Sequence, residues 1–203
     1  MDMTKWTKKE FVDEDFSHQR IPDVSMEDCH FLRCRFRQTF LKEISTIRCV
    51  FEECHFAHAI LNGSTHQGSA FFNCQFEHAR LFASVFENCK MTGSSFGEAD
   101  FTGVSIQGGD WSYTLLRNQH FKRCDLSGIR FKEADLYGTE FEKCNLKEAD
   151  LSYANIQGAS FKGSDLRGAV LEGVDLKSSN LKGTRIDLAQ AIQLARSFGA
   201  TVE

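Results

Sequence analysis

The chain has 203 residues, 24 Lys and Arg against 28 Asp and Glu, a formal net charge of -4, eight Cys and one Pro. It contains no run of 18 apolar residues, and the N-terminal MDMTKWTKKEF has no apolar core, so a membrane span and a signal peptide are not expected and a cytoplasmic location is. A single Pro also argues against a Pro-rich linker.

From Trp6 to Ile186 every fifth residue is a large apolar side chain. Of the 37 positions in that register, 35 hold Phe, Leu, Ile, Met or Trp, and only Thr46 and His66 depart from it. A period of five matches neither the 3.6 of a helix nor the 2 of a strand, so it predicts a solenoid whose wall turns a corner every five residues. The other positions carry their own chemistry. Two before the centre stands a small side chain, as at Ala134, Ala149 and Ala159, and all eight Cys fall there. One before the centre, the C-terminal half prefers Asp or Asn, whose side chains bond nearby amides and hold a bend. Two after the centre fall 12 of the 15 Gly, the residue that takes positive φ at least cost.

If four such units make a coil, residues 20 apart stack. Phe16, Phe36, Phe56, Phe76 and Phe96 then form one interior ladder and Phe101, Phe121, Phe141 and Phe161 another. About nine coils would give a rod on the order of 43 Å long. On this reading Thr46 and His66 fall on one wall of successive coils. The expectation is a local bulge that turns both outward. The sharper form of it is that the polar, Gly-flanked segment Asn62–Gly68 projects as a partner-binding loop carrying Asn62, Ser64, Thr65, His66 and Gln67.

At residue 187 the pattern turns helical. Asp187 is a candidate N-cap, Leu188, Ala191, Ile192, Ala195 and Phe198 recur at helical spacing, and Gly199 is a candidate stop. The division is therefore residues 1–186 as β-solenoid and 187–203 as a helix with a short strand over Ala200–Val202. So short a helix must bury its apolar stripe, on the last coil or in a dimer interface formed by those five residues.

Cysteines five apart stand on different walls, and the interior offers no polar ligand set. Packing rather than metal binding is expected, with free buried thiols and no metal or cofactor. No nucleophile elbow, P-loop, H-E-x-x-H or dinucleotide fingerprint occurs, so the chain is not expected to be an enzyme.

Segments such as Ala134-Asp135-Leu136-Tyr137-Gly138 and Ala149-Asp150-Leu151-Ser152-Tyr153 resemble the pentapeptide-repeat family. That resemblance implies an all-β solenoid, a right-handed quadrilateral β-helix with a short C-terminal α-helix. The tail, through Gln190-Ala191, Leu194 and Phe198-Gly199, is similar to the C-terminal module of the Qnr and MfpA branch, which joins two β-helices end to end. Membership of that branch would imply a homodimer that mimics DNA, binds DNA gyrase or topoisomerase IV without contacting nucleic acid itself, and protects them from quinolones. In the Qnr proteins, projecting loops contribute to that protection. The alternative is an interaction scaffold with no topoisomerase role.

Overall fold

A computed structural model describes residues 5–202. They form a β-solenoid with one C-terminal helix, Leu188–Ser197. The repeat of 20 is read directly from the strand register. Trp6 lies beside Met26, Met26 beside Thr46, Thr46 beside His66, His66 beside Phe86 and Phe86 beside Ile106, all in parallel. Isolated bridges carry the same spacing on to Asp165 and Arg185. The first wall is the parallel sheet of strands Lys5–Thr7, Ser25–Glu27, Ser45–Ile47, Thr65–Gln67, Val85–Glu87 and Ser105–Gln107. The second wall follows Phe11 and Phe31, the third Phe16 and Phe36, and the fourth Ile21 and Leu41.

Side chains at the centre and two before it point inward. The buried set therefore contains both the large residues and the Cys, Ala, Ser and Thr of the small position. The third-wall ladder Phe16, Phe36, Phe56, Phe76 and Phe96 stacks with centroid spacings of 4.9, 4.8, 4.7 and 4.9 Å. A second ladder, Phe11, Phe31, Phe51 and Phe71, runs up the neighbouring wall at 4.8, 4.6 and 4.7 Å. The two meet edge to face, as Phe51 and Phe56 do at 5.6 Å. Both arrangements add to simple burial.

The expected nine or so coils are slightly too many, because about seven turns are regular. The end turns are open on one side, so Trp6, Phe11, Phe16 and Ile21 at one end and Leu181 and Ile186 at the other are only partly buried. A 3₁₀ turn at Leu176–Ser178 also interrupts the last coil. The corners follow the spacing more strictly than glycine does. From Lys8 to Gly183 the residue two after each centre has positive φ except at Ser178, and 23 of these residues are not Gly. At Ala83 (φ 57°) or Tyr113 (φ 60°) the ladder holds an L residue in the left-handed region.

Among the described residues the ladder is interrupted in two places, at that 3₁₀ turn, where Asn155 and Asp175 do not pair on the third wall, and in mid-rod. Ala83 N donates to Thr102 O at 3.0 Å, and one coil below the seam Arg123 N donates to Glu142 O at 2.9 Å. Between them, the amides of Phe101, Gly103 and Ile106 make no such bond among the described residues, and first-wall pairing stops at Ser105–Gln107. The second and third walls stay closed through Lys90, Asp110 and Arg130 and through Ser95, Leu115 and Asp135. The coils therefore gape on the first and fourth walls, leaving a lateral cleft of about 810 Å³. Phe101 meets Phe121 edge-on (71°) instead of stacking. Gly103 and Gly108 border the upper lip, where residues without side chains weaken a strand.

Replacing Phe76, 1% exposed in the middle of its ladder, by Ala removes a ring with neighbours above and below. Denaturant unfolding of Phe76→Ala is expected to show a loss of about 3–5 kcal/mol. A loss under about 1 kcal/mol would mean that the surrounding coils collapse onto the gap.

Candidate functional site

The segment 62–68 does not project. Thr65–Gln67 is a regular strand between Ser45–Ile47 and Val85–Glu87, and Gly63 (φ 68°) and Gly68 (φ 57°) are ordinary corners. Thr65 and Gln67 are exposed on the wall, Asn62 is half-buried, and Ser64 and His66 are buried. Neither Thr46 (0% exposed) nor His66 (2%) turns outward. The reason is that the sequence supplies a polar layer inside the coil that satisfies them.

In that layer Thr46 Oγ1 lies 2.8 Å from His66 Nδ1, and Ser64 Oγ lies 2.9 Å from His66 Nε2. Ser84 Oγ donates to Leu61 O at 2.8 Å, and Ser64 Oγ donates to Ser84 Oγ at 3.1 Å. A hydroxyl has one proton, so Ser64 accepts from His66 and the ring carries its hydrogen on Nε2. Thr46 then donates to Nδ1. Thr46 lies 3.0 Å from Ser69 Oγ, which accepts from Cys49 N at 3.1 Å. The chain runs from a backbone amide to a backbone carbonyl through four hydroxyls and one imidazole. The ring also stacks on Phe86 at 4.8 Å and meets Phe71 edge-on at 5.3 Å, taking an aromatic place in the column.

Burial pushes the His66 pKa down to about 3 from its ordinary 6.5. Between those values the unfolded chain binds a proton that the folded chain refuses. Stability from this group is therefore complete above about pH 6.5 and is lost as pH falls toward 3, at about 1.4 kcal/mol per pH unit. Unfolding free energies of the wild type and His66→Phe, measured from neutral pH down to about pH 4.5, are expected to show the steeper acid loss in the wild type by this amount. Parallel acid slopes would contradict it.

The C-terminal helix closes the open end of the solenoid. Asp187 caps it, accepting from Gln190 N at 3.1 Å, while Gln190 Oε1 accepts from Asp187 N at 3.1 Å. Asp187 Oδ2 also accepts from Gly168 N at 2.7 Å. Gln190, buried, donates to the carbonyls of Leu166 and Ala169, and Gln193 donates to Leu171 O. These carbonyls face the end of the rod, where a further coil would otherwise satisfy them. Of the candidate interface residues, Ala191, Ile192 and Ala195 are half-buried, whereas Leu188 (77%) and Phe198 (68%) stand free, with Lys177 Nζ 5.6 Å from the Phe198 ring centroid. Residues 200–202 are irregular and form no strand, since no ladder edge lies beside them in one chain.

The expectation that all thiols are buried fails at one position. All eight Cys are free, seven are buried, and Cys124 is only half-buried because it borders the cleft.

Charge is shared unevenly among the walls once the register assigns each outward residue and the corner after it. The second wall carries Glu10, Asp13, Glu52, Glu53, Asp110, Glu133, Asp150 and Glu172 against Arg33, Lys90, Arg130 and Lys132. The opposite, fourth wall reverses the balance, with Arg20, Lys42, Arg80, Lys122, Arg123, Lys143, Lys162 and Lys182 against Asp23, Glu43, Asp100, Glu140 and Glu142. On the second wall Arg33 grips Asp13 through Nε and Nη2 at 2.7 and 2.9 Å, and Arg130 meets Asp110 at 3.2 Å. Glu53, Glu133, Asp150 and Glu172 have no cation partner among the described residues. Tyr113 donates to Glu133 at 3.0 Å and Tyr153 donates to Glu172, so two half-exposed aromatic rings lie among these carboxylates.

Family models for pentapeptide repeats match residues 79–110, and for a pentapeptide repeat region residues 114–190, together more than half of the chain. Among solved structures, a trypsin-treated form of QnrB1, described as a plasmid-mediated fluoroquinolone resistance protein, superimposes with a TM-score of 0.86 at 22% identity, covering 98% of this chain and 100% of that one. Full-length QnrB1 superimposes with a TM-score of 0.71 at 20% identity, covering 97% and 100%. At that identity the likeness is one of fold. No curated protein sequence matches the chain significantly.

Proposed function

Since the chain belongs to the pentapeptide-repeat family, we propose that it acts by binding, as a Qnr-like rod that occupies the DNA site of gyrase or topoisomerase IV and shields the enzyme from quinolones or related inhibitors. It transforms no substrate. The observation that carries this reading is the acidic second wall, with eight acids against four bases, backed by a stiff ladder and opposed by a wall with eight bases against five acids. A basic DNA channel is drawn to such a face.

Magnitudes limit how literal the mimicry is. Eight carboxylates over about eight coil steps of about 4.8 Å give roughly one per 5 Å, and roughly one net charge per 10 Å after the four cations of that wall are subtracted, against about one charge per 1.7 Å of duplex axis. Charge alone therefore steers the encounter, and the half-exposed Tyr113 and Tyr153 supply contact area of the kind that anchors protein interfaces. With residues 62–68 lying flat in the wall, protection would act through the walls and not through a loop at that place. Two copies joined through Leu188, Ala191, Ile192, Ala195 and Phe198 would extend the acidic face across a dimer, in the cytoplasm where the enzyme is found.

Gyrase supercoiling with ciprofloxacin, with and without this protein, tests the reading. Protection is expected at micromolar concentration, and it should be lost when Glu53, Glu133 and Asp150 are changed to Lys. Neither protection nor inhibition at micromolar excess would refute it and would favour the second reading, a scaffold with no topoisomerase role, toward which the basic fourth wall points. Deleting residues 188–203 is expected to give monomers or aggregates in light scattering, because it uncovers the carbonyls of Leu166, Ala169 and Leu171 and removes the exposed Leu188 and Phe198. A clean, stable dimer of the truncated chain would rule out that interface.

A further inference from the structure

The cleft and the cysteine column meet at one point. Cys124 occupies the small interior position of the first wall, directly beneath Val104 and above Cys144, and parallel pairing of Asp125 with Asn145 fixes the two cysteines one coil apart. Stacked coils place their Cα atoms about 4.8 Å apart, within the range of about 4.4–6.8 Å that a disulfide spans. Cys144 is buried, with its Sγ 3.4 Å from Phe121 O. Cys124 is half-buried and lines the cleft.

Proximity alone does not single this pair out. Cys34, Cys54 and Cys74 stack with the same spacing, but at 0, 0 and 1% exposure they lie behind unbroken ladders. Access distinguishes Cys124, because the seam above it is the place where two walls lose their hydrogen bonds. At those walls the coil that bears Cys124 is hydrogen-bonded on its lower side only.

We propose that Cys124 is an oxidant-sensitive modification site, entered through the seam between Ser105–Gln107 and Asp125–Ser127, with Cys144 as its resolving thiol and a peroxide as the class of oxidant. In the first step the Cys124 sulfur attacks a peroxide oxygen. An S–O bond forms, the O–O bond breaks, and the departing oxygen leaves as water or alcohol after taking a proton. In the second step the Cys144 sulfur attacks Cys124, the S–S bond forms, the S–O bond breaks, and the Cys144 proton leaves with the hydroxyl as water. Two thiols are oxidised and one peroxide is reduced, and a thiol reductant reverses the change. The neighbouring Cys144 side chain lowers the Cys124 pKa to about 7 from its ordinary 9, while the same pairing and burial raise that of Cys144, so thiolate is available at the accessible member of the pair. This inference does not depend on the proposed partner.

The test uses the full chain. Native protein treated briefly with iodoacetamide should be alkylated at Cys124 by peptide mapping, against eight sites after denaturation. Hydrogen peroxide should produce a Cys124–Cys144 linked peptide that dithiothreitol releases. Cys144→Ser should instead leave a sulfenic acid at Cys124 that dimedone traps, and Cys124→Ser should give neither product. The proposal is overturned if Cys124 in the native wild type is alkylated no faster than Cys144. It is equally overturned if peroxide oxidises Cys124 while Cys144 remains a free thiol. Both readouts come from the unmutated protein and do not depend on a variant folding.

Discussion

Each coil donates its backbone amides to the carbonyls of the coil that follows, as Phe36 N does to His55 O and Leu41 N does to Ile60 O, and this in-register ladder constrains everything else in the molecule. A slip of one residue would turn every inward side chain outward, so the ladder and the interior packing fix each other. It keeps Tyr113, Ala83 and 21 other L residues at positive φ, a conformation that each would avoid alone. It also makes identical side chains stack, so phenylalanine once per coil becomes a continuous ladder and histidine once becomes a place that needs polar neighbours in the coils on either side.

The ladder has two ends and a mid-rod seam, and the chemistry gathers there. At the C-terminal end Gln190 and Gln193 act as a last half-coil, offering amide donors to Ala169 O and a second donor each to Leu166 O and Leu171 O, which also accept from Ala169 N and Val174 N. Their helix is held in turn by Asp187, whose carboxylate serves both the helix N-terminus and Gly168. At the seam the same kind of backbone groups are left unpaired in mid-rod, and the interior becomes accessible at Cys124. A uniform solenoid is a sealed object with four outer faces. Departures from uniformity are what give this one distinct sites.

The faces themselves differ because the register sorts outward residues by wall. Acids and bases that look interspersed along the chain are weighted toward different walls, eight acids against four bases on the second and eight bases against five acids on the fourth. Such a surface meets a long, repetitive partner more readily than a small molecule, and its tyrosines give it more than charge to offer.

The period of five is enough by itself to determine the interior. Trp6, Phe31, Phe76, Leu136 and their equivalents follow from it because a large apolar residue at each fifth position has only one side of a corner to occupy, and Asp187 is legible as a cap from its place before a helical stripe. His66 is not legible in this way, since a polar residue in an apolar register looks like a defect until Thr46, Ser64, Ser69 and Ser84, up to 38 positions apart, are seen to close around it. The exposure of Cys124 is hidden for the same reason, because it depends on hydrogen bonds that two adjacent coils fail to make. Local pattern decides which way a side chain points, whereas its satisfaction and accessibility depend on the coils above and below, and those neighbours exist only in the folded chain.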